Sequence, residues 1–184
     1  MLRTIEIRMA VAEDIPNLLE IYAPYVKNTA VTFEYDVPSV EEFTQRMNSV
    51  LKKYPYLVAI LDQTIVGYAY ASPFHSRAAY MWAAELSVYV HEKYHRLGIG
   101  RALYHEMERR LKKQNVTNLN ACIAYPNPKS IAFHEKEGYH MAGHFSKCGY
   151  KLGRWWDMVW MEKIIGSHDI PPKPWKHYEP ETDL

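Results

Sequence analysis

Apolar and polar positions alternate with period two over residues 4–10, where Ile5 and Ile7 face one way, and this spacing predicts an edge strand. The period lengthens to that of a helix over residues 13–25, with Ile15, Leu18, Leu19 and Tyr22 on one side and Asp14-Ile15-Pro16 as its start. Ser39-Val40-Glu41-Glu42 matches a capping box and opens a second helix reaching Leu51, while residues 29–38 form a loop carrying Phe33 and Tyr35. Apolar runs at 57–61 and 65–71 flank Asp62-Gln63-Thr64 and predict an antiparallel hairpin. Pro73 breaks its second strand, residues 74–79 form a connector, and a further strand spans 80–90. Ile99, Leu103, Met107 and Leu111 then share one helical face, opposite a solvated basic face of Arg109, Arg110, Lys112 and Lys113. A strand at 119–124 precedes a short helix that Asn127-Pro128 opens and Gly138 ends. Residues 139–150 and 155–164 read as a closing strand pair, with Gly149 and Gly153 in the connection.

This order of elements predicts a mixed sheet with helices on both faces, an α/β class. At 184 residues the chain suits one domain, over 1–165, followed by a proline-rich tail over 166–184 that cannot bury a core by itself. A formal charge of +1 gives no general attraction to nucleic acid or a membrane surface, so a small molecule is the expected partner. No apolar run approaches the length of a bilayer span and no basic-then-apolar leader opens the chain, so the cytoplasm is the expected compartment. Cys122 lies in an apolar strand and Cys148 far from it, with no C-x-x-C spacing, so two unpaired thiols outrank a disulfide or a metal site.

The stretch with the most chemistry is Tyr94-His95-Arg96-Leu97-Gly98-Ile99-Gly100-Arg101, at a strand-to-helix junction. Two glycines there let successive backbone N–H groups converge beside a helix N-terminus, where a phosphate can sit. It is not a nucleotide P-loop, since Arg101 and Ala102 follow Gly100 where Lys and Ser or Thr are needed, nor does it have the G-x-G-x-x-G spacing of a dinucleotide fold. Taken alone, the pair fits a ligand-free helix entry as well as a phosphate cradle.

Strand, x-x-G-x-G, helix, strand, and Asn at the start of a short helix ending in Gly-Tyr together resemble the GCN5-related N-acetyltransferases. Within them, Tyr54-Pro55-Tyr56-Leu57-Val58-Ala59, Ala79-Tyr80 with Trp82-Ala83-Ala84-Glu85, Ser87-Val88-Tyr89-Val90 and His134-Glu135-Lys136-Glu137-Gly138-Tyr139 resemble the phosphinothricin and methionine sulfoximine acetyltransferases. The resemblance implies a GNAT fold with a central, mostly antiparallel sheet, acetyl-CoA as cofactor, and a homodimer. It implies that Val88, Tyr89 and Val90 offer backbone groups to the pantetheine and thioester, that Arg96, Leu97, Gly98, Ile99, Gly100 and Arg101 wrap the pyrophosphate, and that Asn127 contacts the cofactor arm. Asn127 is equally a helix cap, and the two roles are compatible. His95 departs from the Gln or Arg of the general pattern, and His134 stands where many members carry a general-acid Tyr.

Acetyl transfer to an amine needs a base, because amines hold a proton up to pH values of about 8 to 10. Glu85, the one carboxylate in the strand run ending at Val90, is the candidate, and a desolvated carboxylate has a raised pKa suited to that task. Its alternative is a strand-end ion pair. His134 is a candidate donor to the departing thiolate, with a packed helix histidine as the alternative. By resemblance Arg77 and Tyr80 hold an anionic group of the substrate, a guanidinium fork being suited to carboxylate or phosphinate, while His75 departs from a position associated with Lys. Phe33 lines either the pocket or the core. The expected reaction is direct transfer to the α-amine of a small anionic amino-acid analogue such as phosphinothricin or methionine sulfoximine. The alternatives are a polyamine, aminoglycoside or protein amine as acceptor, and a non-catalytic acyl-CoA-binding module.

Overall fold

The computed structural model describes residues 4–179, so the two outer ends of the domain and tail readings, 1–3 and 180–184, lie outside the described residues. In chain order the elements are β1 Glu6–Met9, α1 Ile15–Asn28, α2 Val40–Leu51, β2 Tyr56–Leu61, β3 Thr64–Pro73, β4 Ala83–Val90, α3 Ile99–Lys113, β5 Asn118–Tyr125, α4 Pro128–Lys136, β6 His140–Lys151 and β7 Arg154–Ile164. They build one sheet in the order β1-β2-β3-β4-β5-β7-β6. Tight turns join β2 to β3 and β6 to β7: Asp62 and Gln63 both have positive φ, as do Leu152 and Gly153, the backbone that a two-residue hairpin turn requires. Among the described strands only β4 and β5 pair in parallel, because α3 carries the chain back to the same end of the sheet between them.

Both faces of the central strands are buried. Leu86 of β4, Leu119 and Ile123 of β5 and the apolar face of α3 form one core. Tyr68 of β3, Tyr89 of β4 and the apolar faces of α1 and α2 form the other. Ser39 caps α2 by accepting the Glu42 N–H at 3.1 Å.

The structure differs from the sequence reading at residues 78–80 and at Gly149. Residues 78–80 form a 3₁₀ turn, closed by Tyr80 N–H to Arg77 C=O and Met81 N–H to Ala78 C=O, so the strand begins only at Ala83 and Tyr80 belongs to the connector. Gly149 lies within β6 rather than in the connection, because the ring of Phe33 occupies the space a Cβ would need, only 2.7–2.9 Å away. The described part of the tail lies on the domain: Trp175 packs edge-on to Tyr54, and Gln114 exchanges hydrogen bonds of 3.0 Å with the backbone of Lys176.

Candidate active site

β4 and β5 pair only from Ala83–Glu85 to Asn118–Asn120. Beyond that point β5 follows β7 along its whole length while β4 stays with β3, so the two strands part and leave a gap. Leu86–Tyr89 and Ala121–Ala124 form its sides, Tyr104, Asn127 and His134 close it on one face, and Val31 reaches it from the loop.

The sheet register decides which backbone groups face that gap. His91 donates to Val66 C=O at 2.9 Å and Tyr68 lies opposite Tyr89, so Tyr89 exchanges its hydrogen bonds with β3. The alternation then turns the N–H and C=O of Val88 and Val90 toward the gap. The backbone of Tyr89 therefore belongs to the ladder with β3, although the residue lines the cavity. The Val90 carbonyl already accepts from Tyr25 Oη at 2.6 Å and lies 2.9 Å from His95 Nε2. His95, the departure from the family pattern, thus braces the end of β4 against α1.

At the mouth of the gap, Arg96 and Gly98 have φ of +65° and +82°, and α3 starts immediately after. Its first intrahelical bond is Ala102 N–H to Gly98 C=O, so the N–H groups of Gly98, Ile99, Gly100 and Arg101 precede the helical ladder. Gly98 needs its backbone conformation, whereas Gly100 is helical and a Cβ there would meet Phe133 at an ordinary 3.6 Å. Leu97 is exposed, and Arg101 Nε donates to the buried carboxylate of Glu137 at 3.0 Å, whose other oxygen lies 2.9 Å from His105 Nε2. These donors, together with the open edge of β4, fit a chain-like ligand with a diphosphate at one end.

Glu85, Ser87 and Tyr89 share the α1 side of β4 while Leu86 and Val88 face α3, since the register with β3 is unbroken. Glu85 lies half-buried one residue below the cavity, and burial raises its pKa. Burial first, and the charge of Glu85 second, push the Cys122 thiol up to about 12. That thiol is a poor nucleophile at neutral pH. Asn127 caps α4 by accepting the Ser130 N–H at 3.2 Å. His134 is 4% exposed, with Nδ1 2.8 Å from Ser130 C=O and Nε2 2.8 Å from Tyr104 Oη. Burial lowers its pKa, against the opposing effects of the Ser130 carbonyl and Glu137.

On the connector, Tyr80 contacts the rings of Phe74 and His75, and Phe74 meets Trp160 edge-on at 5.4 Å. Arg77 is exposed at the start of the same turn. Phe33 rests on Gly149, in a loop pinned to β6 by Lys151 Nζ to Thr32 C=O and Tyr35 Oη to Tyr150 C=O. The sequence reading missed Tyr104, Ser130 and Val31, and it took Cys122 only as a buried thiol. Tyr104 meets His134 across 30 residues of chain, a pairing that helical periodicity does not signal. Among the described residues there is no cluster of His, Cys, Asp and Glu able to hold a metal ion, and no helix long and apolar enough to cross a membrane.

Residues 7–160 match the model of the acetyltransferase (GNAT) domain. The chain is 33% identical over 172 residues to a phosphinothricin N-acetyltransferase of Streptomyces viridochromogenes, covering 94% of this chain and 93% of that one. It is 28% identical to an L-methionine sulfoximine/L-methionine sulfone acetyltransferase of Salmonella typhimurium, over 90% and 97% of the two chains. The crystal structure of a phosphinothricin acetyltransferase from Sinorhizobium meliloti in complex with AcCoA superposes with a TM-score of 0.88 at 35% identity, over 99% and 98% of the chains.

Proposed function

The chain belongs to the GNAT acetyltransferases and is an acetyl-CoA-dependent N-acetyltransferase, and from that premise we propose that its acceptor is the α-amino group of a small anionic amino-acid analogue, as phosphinothricin and methionine sulfoximine are. The observation that carries the reading is the parting of β4 and β5, with backbone donors on one side of the sheet and a desolvated carboxylate, Glu85, at its root. In this proposal Gly98, Ile99, Gly100 and Arg101 hold the pyrophosphate through their N–H groups, with Arg96 and Leu97 shaping the turn. Val88 and Val90 hold the pantetheine arm by backbone groups, with Asn127 contacting it beside its own cap. The bound cofactor supplies the activated acyl group.

Glu85 takes the proton of the incoming ammonium, and its raised pKa matches that task better than a solvated carboxylate would. The Val88 N–H, turned toward the gap, stabilises negative charge on the acyl oxygen. The raised thiol of Cys122 supports direct transfer rather than an acyl-enzyme. Arg77 and Tyr80 hold the anionic group of the acceptor from the connector, with Phe33 at the border of the site. The names of the relatives support this substrate class, and an exposed guanidinium disfavours a polyamine. We read the enzyme as a cytoplasmic homodimer. The exposed Met141 and Phe145 of the sheet-edge strand β6, with Leu152 and Trp155 at its turn, support pairing there, and sedimentation equilibrium tests it.

A thiol-release assay over amino-acid analogues, polyamines and aminoglycosides tests the acceptor class. Anionic amino-acid analogues should react fastest, and a polyamine outpacing all of them would overturn it. Glu85→Gln should bind acetyl-CoA normally in calorimetry yet lose about 10²-fold in kcat. Undiminished turnover would remove Glu85 from the chemistry.

A further inference from the structure

We propose that Tyr104 and His134 form a proton shuttle that carries the second proton of the acceptor amine to the departing sulfur. This deepens the acetyltransferase reading and rests on it. Two hydrogen bonds fix the direction in which the pair can move a proton. Ser130 C=O can only accept, and it lies 2.8 Å from His134 Nδ1, so the ring proton sits on Nδ1. In the neutral ring Nε2 then carries a lone pair, and the Tyr104 hydroxyl at 2.8 Å must donate to it. With its proton committed to His134, the hydroxyl of Tyr104, a residue that lines the cavity, has only oxygen lone pairs left to offer a further partner. A pair connected in this sense accepts a proton first, which makes His134 the reverse of the simple acid that its sequence position suggested.

The reaction takes two protons from the acceptor ammonium and delivers one to sulfur. Glu85 removes the first. During acyl transfer Tyr104 Oη accepts the second from nitrogen while passing its own proton to His134 Nε2. The imidazolium then returns a proton from Nε2 to Tyr104 Oη, and Tyr104 gives its proton to the thiolate. An N–H and a C–S bond are broken, an N–C and an S–H bond are formed, and the pair ends neutral as it began. Glu85 releases the first proton to solvent after the transfer, and no oxidant is needed.

The groups facing the pair are Ser130 and Glu137 of α4, Arg101 and His105 of α3 through Glu137, Tyr139 after α4, Glu85 of β4 and Cys122 of β5. Acid that protonates His134 occupies Nε2, so kcat should fall on the acid side through this ring as well as through Glu85.

Nitrogen-15 NMR of the protein without ligands should find His134 as the Nδ1–H tautomer at neutral pH, with Nε2 shifted in Tyr104→Phe. Calorimetry should give Tyr104→Phe an unchanged affinity for acetyl-CoA. Its kcat should drop about 10²–10³-fold, and the curved proton inventory of the parent enzyme should become linear. If Tyr104→Phe does not fold, His134→Gln, which keeps an acceptor but takes up no proton, should show the same kinetic losses. An Nε2–H tautomer, a charged ring at neutral pH, or full turnover without the phenol would overturn the shuttle. A parent enzyme that binds no acetyl-CoA would instead sink the functional reading, while NMR would still decide the hydrogen-bond direction.

Discussion

Gly98 and Gly100 stand two residues apart, yet different physics holds each. At φ +82° any L side chain at 98 is strained, although a Cβ there would touch nothing within 4 Å. Gly98→Ala should therefore destabilise the fold by roughly 1 kcal/mol and also displace the N–H groups that follow. Gly100→Ala should fold normally, since its Cβ meets only Phe133 at van der Waals distance. If the helix entrance holds a diphosphate, that same Cβ intrudes on the ligand, and calorimetry should show weaker acetyl-CoA binding without a matching fall in melting temperature. Equal losses of both in the two variants would mean that the pair serves only the turn. His134 adds a second residue-scale outcome. Its pKa is depressed in the folded state, so the stability its neutral form contributes is present above the unfolded value near 6.5 and is lost as pH falls below it. Urea titrations at pH 7 and pH 5 should show that loss, and a smaller loss in His134→Gln.

At the scale of elements, periodicity made most of the fold legible. The spacing of Ile99, Leu103, Met107 and Leu111 placed α3 and its inward face, and all four are buried. Leu103→Ala, at a position fully shielded from water, should cost roughly 2–5 kcal/mol in chemical denaturation. Asn127→Ala removes the side-chain cap of α4 and should cost about 1 kcal/mol; the shuttle adds that a frayed α4 loosens the Ser130 carbonyl and with it His134. What periodicity did not show were contacts between elements distant in sequence. Gly149 looked like a turn residue because its reason, the ring of Phe33, lies in a loop far upstream. Tyr104 went unmarked because its partner, His134, is on another helix. The apolar pattern began the strand at Tyr80, yet local i to i+3 hydrogen bonds fold residues 78–80 into a turn before it.

At the scale of the molecule, the sheet order separates two functions along one pair of strands. Pairing at the root of β4 and β5 fixes Glu85, and their divergence toward the end of β4 opens the site. The described part of the tail attaches at the root end: Trp82 Nε1 donates to Lys173 C=O at 2.8 Å, and Asn115 Nδ2 to Pro174 C=O at 2.7 Å. Composition denied this segment a core of its own, and the half-buried Trp175 instead extends the one beneath α3. Removing that apolar surface in Trp175→Ala should cost roughly 2 kcal/mol, which for a chain of this size lowers the melting temperature by roughly 4–8 °C. Because the helix entrance lies at the opposite end of α3, acetyl-CoA affinity should be unchanged in that variant and in a chain ending at residue 165. A truncated chain that keeps its melting temperature but loses affinity for the cofactor would show that the segment acts on the site rather than on the core.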